Sequence, residues 1–172
     1  MDEEELREIV QRDEDAWNAH DPERLAALMS ADMEFHTPSA PRVVRGRDGF
    51  REIAERYLRA LPDFRIVNRP IAFTDQEVVV LWRVTGTHRA PLLVELQATP
   101  SRSFMIELPA SGRRVDVPGC SVLTIDADGL IARSEEYWNQ AAMVPLVGLR
   151  PFIVGVAQAA LSGLRRTRRR VK

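Results

Sequence analysis

The chain has 172 residues, 45% of them hydrophobic and 28% charged, and a formal net charge of −1. That length suits one domain with a real core and excludes two comfortable ones. The balanced charge gives no global basic field and so no argument for a nucleic-acid partner. The charge is unevenly placed, however. The chain opens acidic, "MDEEELRE", and closes basic, "LRRTRRRVK". Cys120 is the single cysteine, which rules out an intrachain disulfide and fits a reducing compartment. The acidic start has no apolar secretion signal, so a cytoplasmic location is expected.

Residues 3 to 19 read as a helix, with Leu6, Ile9, Val10, Ala16 and Trp17 on one face at helical spacing. A second helix restarts in "HDPERLAALM", with Asp21 as N-cap and Pro22 at the first helical position. "MEFH" is short and strand-like. "GRDGFREIAERYLRALPDF" is a third helix, its face made by Ile53, Tyr57, Leu58 and Leu61, stopped by Pro62.

From about residue 64 the period turns strand-like. "FRIVNRPIAF" and "EVVVLWRVTGTH" flank the turn "TDQ". In the second run Val78, Val80, Trp82 and Val84 point one way, Arg83, Thr85 and Thr87 the other. "SRSFMIEL", "RRVDVPGCSVLTI" and "LIARSEEYWNQ" supply three more strands, separated by the turns "ASGRR" and "DADG". Three helices followed by antiparallel strands make an α+β plan, with helices on one face of a curved sheet. The segment from 150 to 172 is apolar and then arginine-rich, and reads as a helical tail. Arg150 and Pro151 leave its apolar run short of a membrane span. Packing on the domain or a second subunit is the expected role, with membrane-surface contact as an alternative.

Asp13 falls near the centre of the first helix's apolar stripe, where a carboxylate is costly unless paired or protonated. It faces a pocket, or else pairs with a buried arginine. His88 shares the inward parity of Val80, Trp82 and Val84, and can transfer protons or simply close a strand end. His36 is a similar candidate. His20 reads as part of a helix-end turn, and Cys120 as a buried structural thiol. In "SEEYWNQ", alternation groups Glu135, Tyr137 and Asn139 on one face, and Ser134, Glu136 and Trp138 on the other. Periodicity does not say which is inside. No spacing of histidines or cysteines suits a metal, and no phosphate-binding glycine loop occurs.

The pieces "NAHDPERLAALMSADMEFHTP", "VRGRDGFREIAERYLRALPDF", "VTGTH", "PASGRRVDVPGCSVLTIDADGLI" and "EYWNQAAMVPLVGL", in this order, resemble the SnoaL-like polyketide cyclases of the nuclear transport factor 2-like superfamily. The resemblance covers roughly residues 5 to 149 and implies a cone-shaped α+β barrel around a deep pocket, no cofactor, and a homodimer. It implies a domain over 1–149 and a separate tail over 150–172. The family's acid/base aspartate falls ten residues after Gly129, at Asn139, which makes Glu135, Tyr137 and Asn139 the expected pocket face. The "GTH" histidine matches His88. The tyrosine donor of related ketosteroid isomerases falls at about Asp13, and their base at about Thr37, which is no base. The arginine–x–aspartate pair of related epoxide hydrolases is absent from the strand ending in "GTH". The connection "RAPLLVELQATPSRSFMIELPA" is longer than usual, and is expected to extend the sheet or cover the pocket mouth.

The resemblance thus implies a cyclase or isomerase for a hydrophobic, carbonyl-bearing, polyketide-like molecule. Asn139 would donate to the substrate oxygen, and Asp13, His88 or Glu135 would act as base. Trp17, His36, Tyr57, Trp82 and Tyr137 would contact the substrate. A non-catalytic binding or dimerisation module, and a hydratase, dehydratase or epoxide hydrolase, are the alternatives.

Overall fold

Helix α1 (Glu3–Asn18) begins at a capping box: Asp2 accepts from the Glu5 backbone at 2.9 Å, and Glu5 accepts from the Asp2 backbone at 2.8 Å. Its buried face is the expected one, Leu6, Ile9, Val10, Ala16 and Trp17. Asp21 caps the short helix α2 (Pro22–Ala27), as expected. Helix α3 (Gly46–Ala60) buries Phe50, Ile53, Ala54 and Leu58. The computed structural model describes residues 1–99 and 102–139. The tail expected over 150–172 lies outside the described residues. Among the described residues no helix is long and apolar enough to cross a membrane.

The strands are β1 (Met29–Thr37), β2 (Ala40–Arg45), β3 (Arg65–Phe73), β4 (Glu77–Thr87), β5 (Leu92–Thr99), β6 (Arg102–Leu108), β7 (Arg114–Ile125) and β8 (Ile131–Trp138). Six of them form one sheet in the order β2-β1-β8-β7-β4-β3, and β5 and β6 form a separate hairpin. All pairs are antiparallel except β1 with β8. The plan is α+β with helices on the concave face, but the expected barrel does not close. Its edge at β3 is capped by helix α1 instead of a strand. Asn18 both donates to the Ile66 carbonyl and accepts from the Ile66 amide, at 2.9 Å each, and Glu14 accepts from the Asn68 amide at 2.7 Å. These side chains satisfy backbone groups that a closing strand would otherwise pair.

The long connection expected to extend the sheet or cover the pocket mouth is the β5–β6 hairpin. Its neck is tied by His88 and Gly112, with His88 N–H donating to the Arg113 carbonyl at 2.9 Å and Gly112 N–H to the His88 carbonyl at 2.8 Å. Leu92 and Leu108, at the base of the hairpin, are buried in the main core. The hairpin therefore covers the end of the concave face and adds no strand to the main sheet.

The concave face carries the alternate residues of β4 and β7: Val78 and Val80, then Val115, Val117, Leu123 and Ile125 are buried. Strand β8 breaks this simple alternation. Thr124 pairs with Arg133 while Ile125 pairs with Ile131, so Ala132 is an extra residue on β8. Such a bulge shifts the inward parity by one from that point on.

Candidate active site

A cavity of about 290 Å³ lies between α1, α3 and the concave face. Helix α1 sends in Asp13 and Trp17, and α3 sends in Phe50 and Tyr57. The sheet supplies Phe35, Asn68, Trp82 and, from β8, Ile131, Ser134, Glu136 and Trp138. Leu92, Val94 and Leu108 of the hairpin close it. The wall is mostly apolar and aromatic. Two carboxylates interrupt it.

Asp13 is held where the helical period placed it. Burial, and next the charge of Glu136, push its carboxyl up to about 7, against hydrogen bonds from Asn68 and Trp17 that pull it down. Burial pushes Glu136 up to about 7 as well, against hydrogen bonds from Thr37 and Trp138. Thr37 Oγ1 donates to Glu136 Oε2 at 2.7 Å and Trp138 Nε1 donates to the same oxygen at 3.3 Å. Burial alone raises Glu136, whereas Asp13 also feels the charges of Glu136 and Glu14, so Glu136 is the better-supported anion and Asp13 the better-supported acid. The two walls thus bring together groups whose combined titration belongs to the pair.

A chain of hydroxyls leads away from Glu136. Thr37 Oγ1 lies 3.1 Å from Ser39 Oγ, which in turn hydrogen-bonds the Tyr57 hydroxyl. Each hydroxyl has one proton. With the Thr37 proton given to Glu136, the order runs Tyr57 to Ser39 to Thr37 to Glu136. Burial pushes the Tyr57 phenol up to about 12, so it stays protonated and serves as a donor.

Gly119 is needed for the aromatic wall. It pairs with Trp82 of β4 on one side and Trp138 of β8 on the other. A Cβ on Gly119 would fall 2.2 Å from the Trp82 ring, which lies against the bare backbone. Trp82 Nε1 donates to Ser121 Oγ at 2.8 Å, which fixes the ring.

Of the residues singled out from the sequence, Asp13, Trp17, Tyr57 and Trp82 line the cavity. The expected facing of Glu135, Tyr137 and Asn139 is reversed. Glu135 lies on the convex face, accepting from Tyr137 Oη and Arg133 Nε at 2.6 Å each, and these hold its carboxyl below the usual range. Tyr137 and Asn139 are exposed. The cause is the extra residue Ala132: Ile131 and Ser134, three apart, both face the cavity, and Glu136 and Trp138 follow. His36 also lies on the convex side, 3.3 Å from Glu34. His88 is buried, as inward parity requires, but it does not line the cavity; its Nδ1 lies 3.2 Å from Ser111 Oγ at the hairpin neck. Burial holds His88 below its ordinary range. Cys120 is half-buried rather than buried, and its parity on β7 is that of the convex face.

Glu136 is the residue that sequence reasoning passed over. One signal pointed to it: Trp138, the larger apolar member of "SEEYWNQ", shares its parity. Among the described residues no group of three or more histidine, cysteine, aspartate or glutamate side chains is placed to hold a metal ion.

A family model described as a SnoaL-like domain matches residues 10–134. No curated protein matches the sequence. Among solved structures, a candidate SnoaL-like polyketide cyclase from Jannaschia sp. CCS1 is 21% identical with a TM-score of 0.66, over 84% of this chain and 92% of that one. SalBIII, an epoxide hydrolase/cyclase-like enzyme of pyran ring formation in the polyether salinomycin, is 20% identical with a TM-score of 0.62, over 82% and 95%. A protein of ketosteroid isomerase-like fold from Catenulispora acidiphila is 16% identical with a TM-score of 0.61, over 83% and 93%. At these identities the likeness establishes a shared fold.

Proposed function

Because the chain belongs to the SnoaL-like domain family, we propose that it is a cofactor-independent cyclase or isomerase acting on a hydrophobic, carbonyl-bearing, polyketide-like molecule. The observation that carries this reading is the pair of carboxylates, Asp13 and Glu136, each raised to about 7 inside one apolar cavity. Groups poised near the working pH are the efficient proton donors and acceptors. Asn139 has no part in this reading, because it lies off the cavity wall.

Asp13, protonated, gives its proton to the substrate carbonyl oxygen as that oxygen gains electron density. Glu136, ionised, removes a proton from the adjacent carbon. The enol so formed attacks an electrophilic carbon of the same molecule, or is reprotonated at another position. The proton on Glu136 then returns to the product and Asp13 recovers its own, so the overall change is an isomerisation. Trp17, Trp82 and Trp138 exclude water and keep the carboxylates desolvated. The hydroxyl chain from Tyr57 holds Glu136 in place.

The test is proton–deuterium exchange at the carbon next to the carbonyl of a hydrophobic cyclic ketone, followed by NMR. The wild type should catalyse exchange, with a rate that depends on a group titrating near pH 7. Binding of the ketone with no exchange above buffer would leave a ligand-binding module instead. A second reading, opening of an epoxide by the same acid and base, is favoured by the likeness to SalBIII. A hydrophobic epoxide carrying a free hydroxyl distinguishes it by ring formation.

A further inference from the structure

The cavity has an unbalanced charge. Its titratable wall groups are Asp13 from α1, Tyr57 from α3 and Glu136 from β8, and Glu14 stands next to Asp13 on the same helix. No lysine, arginine or histidine is among the lining residues described. Among the described residues the hydrogen bonds to the two carboxylates come from neutral groups: Asn68 and Trp17 to Asp13, Thr37 and Trp138 to Glu136. With one proton on the pair the cavity holds a net charge of about −1, and with none about −2.

A buried carboxylate is ordinarily balanced by a cation. Even outward-facing acids of the sheet have such partners. Glu34 has Arg45 and Arg133, Asp116 has Arg83, and Glu135 has Arg133. Among the described residues these three outward-facing acids have arginine partners, while the buried pair has none. The walls around that pair include the rings of Trp17, Trp82 and Trp138. Indole faces attract cations through the ring quadrupole, and most strongly when water is excluded.

We propose that the ligand of this cavity is a hydrophobic cation, a protonated or quaternary amine carried on an apolar skeleton, and that the cavity supplies its counter-charge. This rests on reading the cavity as the substrate site, and it narrows the substrate class from any carbonyl-bearing hydrophobic molecule to one that also bears a basic nitrogen. An anionic ligand is rejected by the same charge. A neutral one gains only the apolar contacts.

Binding of three probes of one skeleton size tests the inference. These are benzyltrimethylammonium, its uncharged isostere neopentylbenzene, and phenylacetate, followed through the fluorescence of the cavity tryptophans. At pH 7.5 the ammonium should bind at least tenfold tighter than neopentylbenzene, and phenylacetate more weakly than either. The preference should grow between pH 5.5 and 8 as the pair ionises. In Asp13→Asn/Glu136→Gln the ammonium should lose at least tenfold, while neopentylbenzene keeps its affinity and reports an intact cavity. If neopentylbenzene binds the wild type as tightly as the ammonium, or the preference survives the double variant, the inference fails. Deuterium exchange on an uncharged ketone, without any ammonium preference, would sustain the proposed chemistry and overturn only the charge selection. Ammonium preference without exchange would do the reverse.

Discussion

Glu135 and Glu136 are neighbours in one strand and live in opposite worlds. Glu135 sits on the convex face, where Tyr137 and Arg133 hold its carboxyl below the usual range. Glu136 sits on the concave face, where burial drives it up to about 7 and only neutral donors oppose the rise. The backbone gives both the same surroundings. What differs is the side of the sheet, and so the access to water and to arginine. The convex face uses its charges in exposed pairs, which are worth little. The concave face keeps its charges buried and, among the described residues, without a cationic partner, which costs stability and yields groups that move protons near neutral pH.

The comparison is most open to failure in catalysis. Glu136→Gln should lower the rate of carbonyl-directed exchange by about 10²–10⁴-fold, the usual share of a positioned acid or base. Glu135→Gln should change it less than about twofold. Both are checked by kcat/KM with a thermal melt beside it. Equal losses would end the distinction between the two faces.

The second effect is the pH dependence of stability, and its sign differs between the faces. Asp13 and Glu136 have folded values of about 7, above their ordinary ones. Their contribution is therefore complete below about pH 4 and is lost as pH rises through 7. The shifts correspond to on the order of 3–4 kcal/mol per group. On the convex face, Glu34, Asp116 and Glu135 are depressed, so what they contribute is present above about pH 4 and is lost on acidification. In urea titrations the double variant Asp13→Asn/Glu136→Gln should gain on the wild type steadily from pH 5 to pH 8. A constant difference would mean that the buried pair does not titrate as described.

Next comes the wall itself. Gly119→Ala places a methyl against the Trp82 ring and should destabilise the fold by about 1–3 kcal/mol, the usual cost of overpacking. It should also weaken ligand binding, measured by fluorescence titration. The smallest effect is expected for Arg83→Ala, which removes the exposed pair with Asp116 and should change stability by less than about 1 kcal/mol.

The fold was legible where one period governs a whole element. The stripe of α1 placed Asp13 among apolar side chains, and it lines the cavity. Alternation in β4 placed Val80, Trp82 and Val84 on one side, and they line the same cavity. Legibility ended where pairing decides. Strand β2, "APRVVR", carries a proline and two arginines and has no apolar alternation; it exists because β1 pairs with it. Strand β5 reads from sequence as part of a long connection, and among the described residues its strand partner is β6. The facing of β8 was misread for a sharper reason. The resemblance puts Asn139 on the pocket face, but with Ile131 inward the bulge at Ala132 turns Ser134, Glu136 and Trp138 inward instead. That the barrel stays open is written not in any strand but in Asn18 and Glu14, which occupy the edge that closure would need.

The extra residue at Ala132 has a consequence for how such a site can evolve. It works as a parity bit for everything downstream in the strand. Removing one codon there would exchange the two faces together, bringing Glu135 and Tyr137 inward and sending Glu136 and Trp138 out. A point substitution alters one group, whereas a single in-frame deletion replaces the base and its aromatic donor in one step. Relatives with the same fold can therefore carry differently composed cavities on nearly identical strands, separated by a change in length that a comparison of aligned residue types would pass over.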